Sequence, residues 1–222
     1  MIARIFRTIL SLLKSDDLDK VQSLSDMDYW ESRAKQFGKR AVFNISHTEE
    51  ELDKVTLKQK REIFPQLKKI LKGNEKTILD FGCGSGRFTK NLAELIDGKS
   101  IGVDPIKSLI NLAPAGDNVE YKIMREGRIP LEDHSIDIVW ICLVLGGITK
   151  DEILHKTILE IKRTLKPGGV IFLIENTSDK DSSDRWVFRG IKEYQELFPF
   201  VKIKHLSDYY DCGEKISIMV GA

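Results

Sequence analysis

From Gly73 onward, apolar and polar positions along the chain fall into short runs that alternate in period. Thr77–Asp80, Lys99–Val103, Val119–Met124, Ser135–Leu145 and Val170–Glu175 are compact apolar runs and predict strands. Between them lie segments with apolar residues at helical spacing: Arg87–Ile96, Ile106–Leu112 and Lys150–Leu165. In the last of these, Ile153, Leu154, Thr157, Ile158, Ile161 and Leu165 share one face. Strand–helix alternation of this kind predicts a parallel sheet with helices on both faces. The run IDIVWICLVL is apolar throughout and reads as a central strand buried on both sides. The tail differs: Ile191–Phe198 reads as a helix, and Val201–Tyr210 and Lys215–Gly221 as two strands around Asp211-Cys212-Gly213. Strands joined so closely pair antiparallel, so one antiparallel strand is expected near an edge.

Before Gly73 the pattern is helical. Tyr29–Gly38 reads as one amphipathic helix stopped by Gly38. Thr48 and Glu51 have capping-box spacing for a helix running to Phe64, where Pro65 perturbs it or starts another, Gln66–Lys72. Ser15–Asp28 is polar and acid-rich and reads as a linker. Residues 1–14, MIARIFRTILSLLK, are amphipathic but too short to span a bilayer, and Arg7 interrupts any signal-like apolar run. They read either as a helix docked on the domain or a partner, or as an interfacial helix giving peripheral membrane contact. The expected organisation is thus residues 1–28 as helix and linker, 29–74 as a helical cap, and 75–222 as an α/β core.

Composition narrows the classes. With 222 residues and 41% hydrophobic and 31% charged residues, the chain suits one elaborated globular domain, or at most two small ones. A formal net charge of +1 gives no global pull toward nucleic acid. Cys83, Cys142 and Cys212 form no CxxC pair, which points to free thiols, a cytoplasmic setting and no metal centre.

The candidate chemistry sits at Asp80-Phe81-Gly82-Cys83-Gly84-Ser85-Gly86, a strand, glycine turn and helix start. Such glycines let backbone approach a ligand closely. Asp104 ends the next strand, 18 residues after Gly86, where a carboxylate can accept hydrogen bonds from ribose hydroxyls. That much fits NAD or a nucleoside cofactor. The pattern is GxGxG rather than GxGxxG. Asp80 lies two residues before the first glycine, where it would repel a pyrophosphate and hold a cationic ligand.

Four stretches, ILDFGCGSGRF (78–88), IGVDP (101–105), IPLEDHSIDIVW (129–140) and LKPGGVIFLIE (165–175), together resemble the class I S-adenosylmethionine-dependent methyltransferases. The resemblance implies a Rossmann-like doubly wound sheet, order 3-2-1-4-5-7-6, with strand seven antiparallel. It implies S-adenosylmethionine as cofactor and S-adenosylhomocysteine as product, with Asp80, Gly82, Gly84 and Gly86 facing the methionine part. It implies that Asp104 takes the ribose hydroxyls, that Pro105 and Ile106 border the adenine, and that Cys83, Cys142 and Leu143 pack beside the cofactor. Family members often place an acid after strand three. Here Arg125 holds that position, so Glu126, Gly127 or backbone is the expected adenine contact.

The remaining candidates are Tyr29 and Arg33 as a lid reaching the cofactor carboxylate, and Trp186, Arg189 and Tyr209 as acceptor-pocket residues. The competing readings are an aromatic anchor for the N-terminal cap at Tyr29 and Arg33, and surface packing at Trp186 and Arg189. An oxygen acceptor benefits from a general base; His47, Glu175 and His205 are the candidates. The block 29–47 and the tail are loosely similar to small methyltransferases of glycan and natural-product pathways. That similarity implies O-methylation of a sugar or related small acceptor, with a lipid-linked or nucleotide-linked sugar compatible. Competing hypotheses are a catalytically silent binding protein of the same fold, an NAD(P)-dependent oxidoreductase, and RNA methylation. Near-neutral charge argues against the last.

Overall fold

A computed structural model of the chain describes residues 26–125 and 127–222. The N-terminal segment 1–14 and Glu126 lie outside the described residues.

The elements are α1 (Asp26–Phe37), 3-10 turns at Gly38–Val42 and Glu49–Glu51, and α2 (Leu52–Ile70). Then follow β1 (Thr77–Phe81), α3 (Thr89–Ile96), β2 (Lys99–Asp104), α4 (Lys107–Ile110), β3 (Val119–Ile123) and β4 (Ile136–Cys142). A 3-10 turn at Leu145–Gly147 leads to α5 (Asp151–Thr164) and β5 (Leu165–Asn176). The chain ends with α6 (Ile191–Leu197), β6 (Ile203–Asp211) and β7 (Glu214–Gly221).

The seven strands form one sheet in the order β3-β2-β1-β4-β5-β7-β6. Strands β1 to β5 are parallel, and β7 runs antiparallel to both β5 and β6. This is the expected doubly wound sheet. The central strand β4 is buried on both faces because both carry helices. On one face Val139 and Ile141 pack with Leu154, Ile158 and Ile161 of α5 and with Tyr194 and Phe198. On the other, Trp140 stacks on Phe172 at 5.5 Å between ring centroids, beside Ile63 and Leu67 of α2 and Leu92 of α3.

Three local expectations change. Pro65 neither ends nor restarts a helix: α2 runs through it. The flanking Ile63 and Leu67 are fully buried against the sheet, and that burial outweighs one lost backbone hydrogen bond. The Pro167-Gly168-Gly169 turn is absorbed into β5, which begins at Leu165 and shifts register opposite Ile136 and Ile138. Gly168, at φ +75°, supplies the backbone irregularity. Finally, residues 26–28, read as linker, form the acidic first turn of α1, where carboxylates suit the positive end of the helix dipole.

Candidate functional site

The glycine turn follows β1 and is pinned to β2. Gly82 and Cys83 both donate their N–H groups to the Val103 carbonyl, at 2.8 and 3.1 Å. Gly82, Gly84 and Gly86 all have positive φ. A Cβ at Gly82 would stand 2.5 Å from both γ-carbons of Val144, so the turn requires glycine there for space as well as conformation.

Two buried carboxylates bracket this turn. Asp80 sits in β1, and its Oδ2 accepts a 2.6 Å hydrogen bond from the Thr89 hydroxyl at the start of α3. Burial raises its pKa to about 7, against the pull of Thr89 and the Arg87 charge. Asp104 ends β2; its Oδ2 accepts from Gly84 N–H at 2.9 Å and its Oδ1 from Ile106 N–H at 2.8 Å. Burial raises Asp104 to about 6 despite those two donors. A carboxylate oxygen has more than one acceptor direction, so both oxygens keep capacity for hydroxyl donors. This acceptor set fits a ligand with a cationic end near Asp80 and a diol near Asp104. Pro105 and the buried Ile106 follow directly, and the Tyr121 ring of β3 lies across Gly86 and Gly102. Tyr121 was not signalled by the sequence, where Val119–Met124 reads only as a strand; in the structure the Tyr121 ring lies against the glycine turn. After β3, Arg128 N–H returns to the Arg125 carbonyl at 2.9 Å, with Gly127 at φ +67° closing the turn.

Helix α1 lies across the carboxyl ends of the strands and is tied at both flanks. Glu31 accepts from the Ser108 hydroxyl of α4, and Asp26 accepts from the Thr149 hydroxyl at 2.9 Å. Arg33 is turned into the cap itself. It donates to the carbonyls of Ala41 (2.8 Å) and Phe43 (3.3 Å) and stands 3.4 Å from the Tyr29 hydroxyl. Tyr29 packs edge-on against Trp30, with Arg185 4.8 Å above its ring.

The loop after β4 is held in an uncommon conformation. Leu143 has φ +58° and donates to the Ile174 carbonyl at 2.7 Å. Beneath it, Glu175 Oε1 accepts from Val144 N–H (3.0 Å) and Leu145 N–H (2.9 Å). Burial raises Glu175 to about 7, opposed by these bonds and by the Arg189 charge. The buried Arg189 donates to the Leu145 carbonyl at 2.9 Å, and the Tyr194 hydroxyl stands 3.5 Å from Glu175. Trp186 lies flat against Gly146, and Trp30 and Trp186 both reach Gly147. Beside this loop, burial pushes the Cys142 thiol up to about 12, so it stays protonated and acts as packing. Cys83 is likewise buried and raised.

The candidate bases are scattered. His47, from the loop between the 3-10 turns, hydrogen-bonds through Nε2 to Asp211 Oδ1 at 2.9 Å. Cys212 Sγ lies 3.4 Å from the same nitrogen. His47, Asp211 and Cys212 offer three ligand atoms within 4.8 Å of one another, a set that could hold a metal ion. His205 is exposed on the edge strand β6 and paired with Asp208 at 2.7 Å. Tyr209, also on β6, is buried in the core face that holds Trp140 and Phe172.

Residues 79–173 match a family model described as a methyltransferase domain. A thiol S-methyltransferase of Rattus norvegicus is 33% identical over 146 residues, which are 61% of this chain and 57% of that protein. A phosphoethanolamine N-methyltransferase of Triticum aestivum is 33% identical over 168 residues, 71% of this chain and 31% of that protein. This chain therefore spans less than two thirds of either relative. Among solved structures, a SAM-dependent methyltransferase from Leishmania major superposes with a TM-score of 0.65 at 21% identity, covering 93% of this chain and 90% of that one. At that identity the likeness is one of fold.

Proposed function

We propose that this chain, a member of the class I S-adenosylmethionine-dependent methyltransferases, transfers a methyl group from that cofactor to a small acceptor. The carrying observation is the pair of buried carboxylates, Asp80 and Asp104, on either side of a positive-φ glycine turn at neighbouring strand ends. When bound, the cofactor supplies an electrophilic methyl on a sulfonium. Asp80 would hold the cofactor's cationic methionine end, the glycine turn would accommodate the methionine backbone, and Asp104 would accept hydrogen bonds from the ribose hydroxyls. Bound there, the methyl would be open to in-line attack by an acceptor lone pair, with the S–CH3 electron pair left on sulfur. The acceptor's proton leaves to solvent or to a base. Alignment in a closed space is then the chief catalytic task. The tethered helix α1 and the Trp30–Trp186 pair serve that closure. Glu175 acts as a positioning residue, fixing the backbone of residues 144 and 145.

The acceptor side is built from segments 29–47 and 176–210, outside the matched domain. For it we keep the narrower reading of O-methylation of a sugar or related metabolite, in the cytoplasm. The three free cysteines suit that compartment, and no helix among the described residues is long and apolar enough to cross a membrane.

Calorimetry with S-adenosylhomocysteine tests the cofactor, and labelled S-adenosylmethionine offered to extract fractions tests the transfer. Binding without any labelled product would favour a silent binding protein. Heat with NAD and none with S-adenosylhomocysteine would favour an oxidoreductase.

A further inference from the structure

Arg87 directly follows the glycine turn, and its side chain packs against Phe43, Phe88 and Gln59. The guanidinium lies over two rings, 4.2 Å from the centroid of Phe43 and 4.6 Å from that of Phe88. Among the described residues its one hydrogen bond runs from Nη2 to Gln59 Oε1 of α2, at 2.7 Å. A guanidinium carries five N–H donors, so this one is largely unspent. Its electrostatic neighbours are Cys142, Tyr209, Asp80 and Asp211. Neither carboxylate hydrogen-bonds to it: Asp80 is taken by Thr89, and Asp211 by His47. In the same place the Tyr209 hydroxyl is buried and has no hydrogen-bond partner.

Arg87 is half-buried and keeps spare donors, while the Tyr209 hydroxyl is buried with no partner, a cost that a ligand accepting from both would offset. The position identifies the filler. Cys142 ends β4, one strand over from the glycine turn, and Phe43 comes from segment 29–47, which the proposed function places on the acceptor side, while Gln59 comes from α2 on the sheet face. Phe43 and Phe88 hold the planar guanidinium so that its free edge can pair with two oxygens of one group.

We propose that Arg87 and Tyr209 form a recognition site for an oxyanion, a carboxylate or phosphate, carried by the methyl acceptor. The inference rests on the methyltransferase reading and names the acceptor's charge. A sugar bearing a phosphate meets it; an uncharged acceptor does not.

The test is calorimetric titration of inorganic phosphate, and separately of acetate, into the full chain saturated with S-adenosylhomocysteine. One anion should bind the wild type, and which one does tells phosphate from carboxylate. Arg87→Met should weaken that binding at least about tenfold. Arg87→Lys should recover part of it, because charge is kept and the fork is lost. Tyr209→Phe should weaken it by about a few-fold. If Arg87→Met does not fold, Arg87→Lys and Tyr209→Phe carry the same comparison. Failure of both anions to bind the wild type, or equal binding by the variants, overturns the proposal. Failure of the wild type to bind S-adenosylhomocysteine overturns the methyl-donor reading instead, so the two failures are distinguishable.

Discussion

The backbone N–H of Gly84 donates to the Asp104 carboxylate at 2.9 Å, so the end of β2 holds the glycine turn through the residue assigned to the ribose. One side chain thereby shapes the loop and presents acceptor capacity to the ligand. Asp104→Ala should lower affinity for S-adenosylhomocysteine by about 100-fold, since charge-assisted bonds contribute about 1.5–3 kcal/mol each. Circular dichroism should show the fold retained. Unchanged affinity in calorimetry would mean the cofactor lies elsewhere.

With Asp80 in the proposed role, cofactor affinity should depend on pH. In the free protein its pKa is raised to about 7, and a bound cation would lower it. Binding between the two values must release a proton, so affinity for S-adenosylmethionine should rise as pH climbs toward about 7. Asp80→Asn should flatten that rise. Stability runs the other way. A raised folded-state pKa means the folded chain holds a proton that the unfolded chain has lost, so this contribution declines from about pH 4 to pH 7. Thermal unfolding of Asp80→Asn across that window should therefore fall less than that of the wild type.

Two glycines with similar backbone angles separate strain from space. Gly168, at φ +75°, has nothing within 4 Å of a built Cβ, so Gly168→Ala should cost about 1 kcal/mol from backbone alone. Gly82, at φ +68°, would meet Val144, so Gly82→Ala should cost more, about 2–4 kcal/mol. Urea unfolding of the two variants reads the difference directly; equal costs would mean Val144 yields freely.

Glu175 distinguishes a base from a buttress. Its Oε1 takes two backbone N–H groups, and a glutamine oxygen can take both. Glu175→Gln should keep most activity, while Glu175→Ala leaves both donors unpaired and should lose about 2–4 kcal/mol of stability. Loss of turnover in Glu175→Gln at unchanged stability would make the carboxylate a participant in proton transfer.

What the sequence determined by itself is what short-range pattern encodes. Period-two and period-3.6 hydrophobicity placed the strands and helices, and GxGxG between Asp80 and Asp104 marked a positive-φ glycine turn, because positive φ and close approach are properties of single residues. Packing decided the rest. That His47 meets Asp211, 164 residues away, follows from the cap lying against the β6–β7 hairpin. That Arg33 is spent on the carbonyls of Ala41 and Phe43, while Arg87 is left with spare donors beside Phe43 and Phe88, follows from which atoms crowd each guanidinium. Pro65 reads as a break and lies within a helix, because buried neighbours outweigh a local rule. Such outcomes depend on contacts between distant segments, which no local window of sequence records.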